Sequence, residues 1–281
     1  MTFKLAKGFD MREFPMSEGN FKQIKSLAYS LTGISLSDHK QNMIYGRLAR
    51  RLRKLELKDF DQYCAIIDQN HDSEQLEFVN AITTNLTSFF REGHHFDFVE
   101  RELLPKLLRE KASTKRLRIW SAGCSTGEEP YSIAMVLKSC AALSNWDIKI
   151  LATDLDSNVI AKASDGIYPL ERVEGVPAKY KRYISVNTAD DLVKMKDAVK
   201  NVITFKQLNL LHEWPMKGPF DFIFCRNVVI YFDVSTQVKL FDRFANILIP
   251  NGHLFIGHSE NLHNITARFG SLGKTIYRLS S

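Results

Sequence analysis

The stretch Arg118-Ile-Trp-Ser-Ala-Gly-Cys-Ser-Thr-Gly-Glu-Glu-Pro-Tyr131 decides the fold. Its opening residues read as a strand, Gly123 to Gly127 as a tight turn, and Glu128 onward as the start of a helix. Glycine in such a turn lets backbone approach a ligand closely. Downstream, Lys149-Ile-Leu-Ala-Thr-Asp-Leu-Asp156 reads as a second strand with Asp154 at its tip. An acid at that position commonly accepts the hydroxyls of a ribose. The two segments point to a nucleoside-containing ligand on an α/β sheet.

The loop chemistry narrows the ligand. A dinucleotide site has G-x-G-x-x-G and a P-loop has G-x-x-x-x-G-K-[ST]. This loop has only Gly123 and Gly127, followed by two carboxylates. Glu128 and Glu129 would repel a pyrophosphate at a helix N-terminus that otherwise favours anions. They suit a ligand with ribose hydroxyls and a positive centre. S-adenosylmethionine has both, in its adenosine, sulfonium and amino acid tail. The plain alternative is a βα turn with helix-start glutamates.

The composition sets outer bounds. The 281 residues suffice for one large or two unequal domains. Hydrophobic residues at 44% and charged residues at 25% are ordinary for a globular protein. No apolar run approaches the roughly 20 residues that span a bilayer. Met1 to Asp10 carry no apolar segment of the secretory type. Cys64, Cys124, Cys140 and Cys225 lack metal-site or disulfide spacing; Cys124 and Cys225, near strand ends, read as free thiols, and a reducing cytoplasm fits. The net charge of +6 is uneven: Lys40 to Lys58 hold seven basic residues and one acid, Glu56.

Residues 20 to about 84 read as a helical bundle. Phe21, Ile24, Leu27, Ala28 and Leu31 recur at helical spacing and Gly33 ends the run. Ser37 or Asp38 can cap a second helix with the stripe Ile44, Leu48, Leu52, Leu55. Asp59 can cap a third through Phe60, Tyr63, Ile66 and Ile67, and Leu76, Phe78, Val79 and Ile82 begin a fourth. Residues 85–95 lack the Gly/Ser or Pro richness of a flexible linker and read as a packed junction. A helix from Phe96 to about Glu110 follows. Strands are expected at 117–121, 148–153, 203–206, 220–225 and 252–257, with an antiparallel pair near 267–270 and 275–279. Helices are expected at 129–142, 157–164 and 235–248. This alternation is that of a doubly wound sheet. Residues 166–200 interrupt it and read as an inserted subdomain of short strands, Asp191 to Lys196 among them.

Ligands of open sheets bind beyond the strand carboxyl ends. Four such ends carry marked residues: Ala122 to Glu129, Asp154, Gln207-Leu-Asn-Leu210, and Phe224-Cys-Arg-Asn-Val-Val-Ile-Tyr231. Asn209 alone is an ordinary turn former, and its amide could face an adenine amine. The joint placement carries more than any one residue.

With these segments in view, the sequence resembles the chemotaxis receptor glutamate O-methyltransferases, the CheR family. The marks are Thr83-Thr-Asn-Leu-Thr-Ser-Phe-Phe-Arg91, Trp120-Ser-Ala-Gly-Cys-Ser-Thr-Gly-Glu-Glu-Pro-Tyr-Ser132, Phe224-Cys-Arg-Asn-Val-Val-Ile-Tyr-Phe232 and Gly257-His-Ser-Glu260. The likeness runs from about Asn20 to Tyr277. It implies an α/β doubly wound, Rossmann-like methyltransferase sheet with an all-helical N-terminal domain and a small inserted β-subdomain. It implies a receptor-docking domain at 1–84, a junction at 85–95 that contributes to the cofactor site, and a methyltransferase domain at 96–281 containing the insertion at 166–200. It implies S-adenosylmethionine as cofactor, with S-adenosylhomocysteine as product. The implied cofactor residues are Asn85, Thr87, Arg91, Glu129, Asp154, Asn209, Leu210, Arg226 and Asn227. The implied catalytic residues are Arg91 and Tyr231. Asn/Asp-Pro-Pro-aromatic enzymes acting on nitrogen fit less well, since Arg-Asn-Val-Val stands at that strand end.

The resemblance also implies partners. The substrate is the cytoplasmic helical methylation region of membrane chemoreceptors, and a cytoplasmic monomer is expected to be recruited to receptor arrays without inserting in the membrane. Arg47, Arg50, Arg51, Arg53, Lys54 and Lys58 are read as the receptor-binding band. Nucleic acid binding is the lesser reading of that band, for no base-reading module accompanies it. No metal is expected. A receptor C-terminal peptide is a further candidate partner, docking by strand addition on the edge Leu192 to Lys196. Against that, Ser185 to Asp191 lack the glycine found in tethering relatives. His94 and His95 are read as packing or capping residues. The competing function is a non-catalytic interaction module on the same fold.

Overall fold

A computed structural model describes residues 12–69, 72–187 and 189–280. The reading of Met1 to Asp10 lies outside them. The chain forms two compact units. One ends at Ile82 and holds the preceding residues except Thr32–Ile34; the other holds Thr83 onward with Thr32–Ile34.

The first unit contains α1 (Glu18–Thr32), α2 (Gln41–Lys54), α3 (Phe60–Asp68) and α4 (Asp72–Ile82). The apolar stripes meet in a core of Ile24, Ala28, Ile44, Leu48, Leu52, Phe60, Tyr63, Ile67 and Phe78. Asp59 caps α3, accepting the Gln62 amide at 2.9 Å. Neither Ser37 nor Asp38 caps α2: a short 3-10 turn, Asp38–Lys40, intervenes, and Asp38 pairs with Lys25 at 2.6 Å.

The basic band is divided, which corrects the sequence reading. Arg51 lies inward, its Nη2 2.5 Å and Nη1 2.9 Å from Glu74 and Glu77. Tyr63 donates to the same buried Glu74 at 3.1 Å. Arg47 donates to the Ile82 carbonyl at 2.9 Å, closing the C-terminus of α4. Arg53 grips Glu13 through two nitrogens. Arg50, Lys54 and Lys58 are exposed. The sequence shows helical spacing but not which charges meet acids from α4.

The second unit opens with α5 (His94–Phe98), which continues through a π-helical segment (Val99–Leu103) into α6 (Leu104–Glu110). Then come β1 (Arg116–Ala122), α7 (Glu128–Ser139), β2 (Asp147–Asp154) and α8 (Ser157–Asp165). The insertion supplies β3 (Ile167–Pro169), β4 (Ile184–Asn187), β5 (Leu192–Met195) and the short α9 (Asp197–Lys200). The sheet resumes with β6 (Ile203–Gln207), β7 (Phe220–Phe224), α10 (Val234–Ile247), β8 (Leu248–Phe255), β9 (Phe269–Gly273) and β10 (Ile276–Leu279).

The seven-stranded sheet runs β6-β2-β1-β7-β8-β10-β9. The first five strands are parallel; β10 lies antiparallel between β8 and β9. Alternation along β1 sends Leu117 and Ile119 into one buried cluster and Trp120 and Ala122 into the other. The order reverses between β2 and β7 around β1, so the switch point lies at the carboxyl end of β1.

The insertion is a three-stranded antiparallel sheet in the order β3-β5-β4. This corrects the expected docking edge. Leu192 to Met195 pair with Ile167–Pro169 on one side and Ile184–Asn187 on the other, so they form the centre. Asn and Asp chemistry makes the glycine-free turn: the Asn187 amide donates to Asp190, and Asp191 takes φ +50°.

Candidate active site

Gly123 and Gly127 take φ +90° and +98°. A Cβ on Gly123 would stand 2.3 Å from a Val228 methyl, and one on Gly127 would stand 2.8 Å from the Ala163 Cβ. The glycines therefore serve contact with the chain's own neighbouring segments, a different reason from the ligand approach read in the sequence. The loop is further fixed by Gly123 and Cys124 amides donating to the Thr153 carbonyl at 2.8 and 2.9 Å.

The two loop glutamates divide their tasks. Glu128 pairs with Arg172 of the insertion and accepts the Thr126 hydroxyl at 2.6 Å. Arg172 also donates to the Thr87 carbonyl at 2.8 Å, anchoring the junction. Glu129 turns to the strand ends: it accepts the Ser121 hydroxyl at 2.7 Å and lies 3.2 Å from Arg226 Nη1. Burial pushes the Glu129 pKa up, and Arg226 and Ser121 do not cancel that.

Asp154 ends β2. Its Oδ2 accepts the Ser125 amide at 2.8 Å and its Oδ1 the Asp156 amide at 3.0 Å. Burial raises its pKa to about 6 despite these bonds. Its neighbour Asp156 caps α8 and receives Asn85 Nδ2 at 2.7 Å and Thr83 Oγ1 at 2.9 Å. The Asn85 side chain thus holds the junction to the loop after β2. Ser125 Oγ donates to the Asn85 carbonyl at 2.9 Å, tying the junction to the loop after β1 as well.

Arg226, just past β7, is buried between acids. Its Nη2 lies 3.4 Å from Glu92 Oε2 and donates to the Arg91 carbonyl, while the rings of Phe96 and Phe224 lie 5.8 Å away. Glu92 also accepts from His258 Nδ1 at 3.0 Å. Burial alone would raise its pKa, but His258 and Arg226 hold it below the ordinary value. Arg91 donates through Nη1 to the Leu86 carbonyl at 2.8 Å and makes no ion pair with Glu92 or a loop acid among the described residues.

Glu260 explains the Gly257–Glu260 motif. Its buried carboxylate accepts the amides of Gly257 at 2.6 Å, Asn227 at 2.9 Å and Ile230 at 3.2 Å. It thereby fixes Asn227, at φ +59°, and the 3-10 turn Val229–Tyr231. The sequence marks the motif without a role for Glu260, and offers Glu92 only as a salt-bridge partner for Arg91, whereas it pairs with Arg226 and His258. Asn209 forms an Asx turn, accepting the Leu211 amide at 2.9 Å, beside the buried Leu210.

His95 is buried as expected, with Nε2 3.0 Å from the Lys274 carbonyl and 3.1 Å from Thr275 Oγ1. Burial, reinforced by Arg226, drops its pKa to about 3. Burial also pushes the Cys124 and Cys225 thiols up, so neither is a nucleophile at neutral pH.

The structure brings together Glu129, Asp154, Arg226, Asn227 and the backbone of Asn85 to Arg91. Glu129 and Asp154 stand at the ends of β1 and β2 with one polar partner or two each, and a carboxylate has lone pairs for more. Ribose hydroxyls and a cationic amino acid tail are donors such carboxylates can take, so the residues fit an adenosyl cofactor.

Fold and site define a Rossmann-like methyltransferase. Residues 85–278 match the family described as CheR methyltransferase, SAM binding domain, and residues 19–83 match CheR methyltransferase, all-alpha domain. The chain belongs to the CheR methyltransferase family. It is 44% identical over 270 residues to a chemotaxis protein methyltransferase of Escherichia coli (strain K12), covering 94% of this chain and 92% of that one. It is 44% identical to chemotaxis protein methyltransferase 2 of Pseudomonas aeruginosa over 96% of both chains. A Borreliella burgdorferi chemotaxis protein methyltransferase is 39% identical over 88% of this chain and 89% of that one. S-adenosylmethionine is the methyl donor and S-adenosylhomocysteine the product.

Proposed function

We propose that the chain transfers methyl groups from S-adenosylmethionine to glutamate side-chain carboxylates of chemoreceptors, giving methyl esters that adapt chemotactic signalling. The observation that carries this reading is the gathering of Glu129, Asp154, Arg226 and the junction at the carboxyl ends of β1, β2 and β7, in a chain of this family.

The bound cofactor supplies a methyl group on a sulfonium. Asp154 would hold the ribose hydroxyls and Glu129 the cationic tail. Asn209 and Leu210 would serve the adenine, with Asn85, Thr87, Arg226 and Asn227 as the other residues that would hold the cofactor. Arg226 keeps Glu92 and Glu129 from repelling one another and fixes the Arg91 backbone. The remaining fork of Arg91 holds the substrate carboxylate, as a planar guanidinium does well. Tyr231 orients that carboxylate against the methyl group. A glutamate with a pKa near 4.3 is already ionised, so no general base is needed. Alignment and the mutual neutralisation of opposite charges in a poorly hydrated site lower the barrier.

The receptor is met by the exposed cations Arg50, Lys54 and Lys58 of the helical unit. Among the described residues no helix is long and apolar enough to cross a membrane. The chain acts on the cytoplasmic side, as a monomer recruited to receptor arrays.

The test is transfer of labelled methyl groups to receptor-containing membranes. Base-labile label is expected; base-stable label, or none despite S-adenosylhomocysteine binding, would overturn the proposal.

A further inference from the structure

A second concave region lies away from the strand-end site. It is a cleft of about 760 Å³ between the helix of residues 94–110 and the hairpin of β9 and β10. That size suits a small organic ligand. The cleft shares no residue with the proposed cofactor site, and touches the surroundings described above only through the Lys274 carbonyl, which His95 contacts.

Its charge pattern is unusual. Arg101, Lys106, Lys274 and Arg278 line it, against Asp97 and Glu102. Among the described residues, only Lys106 of these four cations has a side-chain ion pair, a loose one at 3.9 Å to Glu110. Arg101, Lys274 and Arg278 are exposed along the rim of this open cleft, and Lys106 is half-buried. The π-helical segment Val99–Leu103 carries Arg101 and Glu102, and such segments recur at functional sites.

The buried wall is more telling. His253 is 5% exposed, and its ring makes no hydrogen bond among the described residues. It stands on β8 directly opposite Arg278 of β10, with the Phe98 ring 5.8 Å away. Alternation along β8 places it on the same side as buried Phe255, where an apolar residue would pack at less cost. Burial, then Lys106 and Arg278, lower its pKa to about 4. The cations therefore act on the polar group that forms the cleft wall.

We propose that this cleft binds a small, soluble phosphorylated ligand, with the phosphate held by Arg101, Lys106, Arg278 and His253 and the ligand's body against Phe98 and Leu272. Guanidinium groups fit phosphate oxygens in pairs, and neutral imidazole adds one N–H donor. Exposed Asp97 and Glu102 oppose a broad anionic surface, which favours a small ligand over a lipid bilayer.

Inorganic pyrophosphate and ADP are titrated into the full chain saturated with S-adenosylhomocysteine, so the strand-end site is filled. Calorimetry gives affinity and NMR gives location. Saturable binding of at least one probe is expected, with resonance shifts at His253 and Arg101. The double variant Arg101→Ala/Arg278→Ala should bind that probe about tenfold more weakly or worse. Its S-adenosylhomocysteine affinity should be unchanged, which also reports an intact fold. Arg109→Ala, on the same helix outside the cleft, should change neither affinity. Neither probe binding, shifts centred on Glu129 and Asp154, or equal affinity in the double variant would overturn the assignment. Stronger binding to anionic vesicles than to either soluble probe would overturn the choice of a soluble ligand.

Discussion

Asp154 sits at the end of β2 with one oxygen on the Ser125 amide and the other on the Asp156 amide. Those bonds aim the carboxylate, while burial lifts its pKa to about 6. It must be ionised to accept two hydroxyls well. If it accepts the ribose hydroxyls as proposed, the proton it gains as pH falls through about 6 should lower cofactor affinity on the acid side, with full affinity above that pH. Calorimetry with S-adenosylhomocysteine should show this loss. Asp154→Ala should weaken binding at pH 7.5 by about 1–3 kcal/mol, the loss expected when buried hydroxyls lose their acceptor. The same variant should flatten the acid-side decline. Unchanged affinity in the variant would remove Asp154 from the ribose role. Asp154 and Glu129 were legible in the sequence because an acid after a strand stands out. The roles of Glu92 and Glu260 were not, because His258 and Arg226 reach Glu92, and Asn227 and Ile230 reach Glu260, from other segments that meet only in the fold.

Helix α2 shows how an element can mislead when read alone. Helical spacing groups Arg47, Arg51, Lys54 and Lys58, yet α2 ends at Lys54 and leaves Lys58 in the following turn, and Arg51 binds Glu74 and Glu77 while Lys54 is exposed. The two residues should therefore behave differently. Arg51→Glu leaves buried Glu74 facing a like charge and should cost about 3–5 kcal/mol, seen as a lowered unfolding midpoint of the helical unit. Lys54→Glu should stay within about 0.5 kcal/mol of the parent stability and reduce receptor methylation at low salt. Equal loss of stability in both variants would contradict this division. Receptor methylation undiminished in Lys54→Glu would contradict docking through this face. Strand β5 teaches the same lesson. Its alternating Leu192–Met195 segment was legible as a strand, but its central place between β3 and β4 was not, since pairing depends on segments far along the chain.

At the scale of the whole molecule, the alternation of strands and helices from Arg116 to Ile247 was open to reading because parallel strands buried on both faces are continuously apolar. Phe220–Phe224 is buried at every position, and its one polar residue, Asp221, is paired with Lys111 and the Arg118 amide. Residues 85–95 were legible as ordered, and the structure supplies the reason: Asn85, Thr87 and Arg91 bond to three separated segments. The family likeness extends over both units, 19–83 and 85–278. The central claim is carboxylate methylation that uses an adenosyl cofactor and no general base. Its most direct test is tandem mass spectrometry of chemoreceptors incubated with the protein and a cofactor bearing a deuterated methyl group. The account predicts the deuterated methyl on glutamate side chains, removed by mild base and absent when Arg91→Ala replaces the parent chain. A deuterated methyl on lysine, histidine or backbone nitrogen, stable to base, would contradict it.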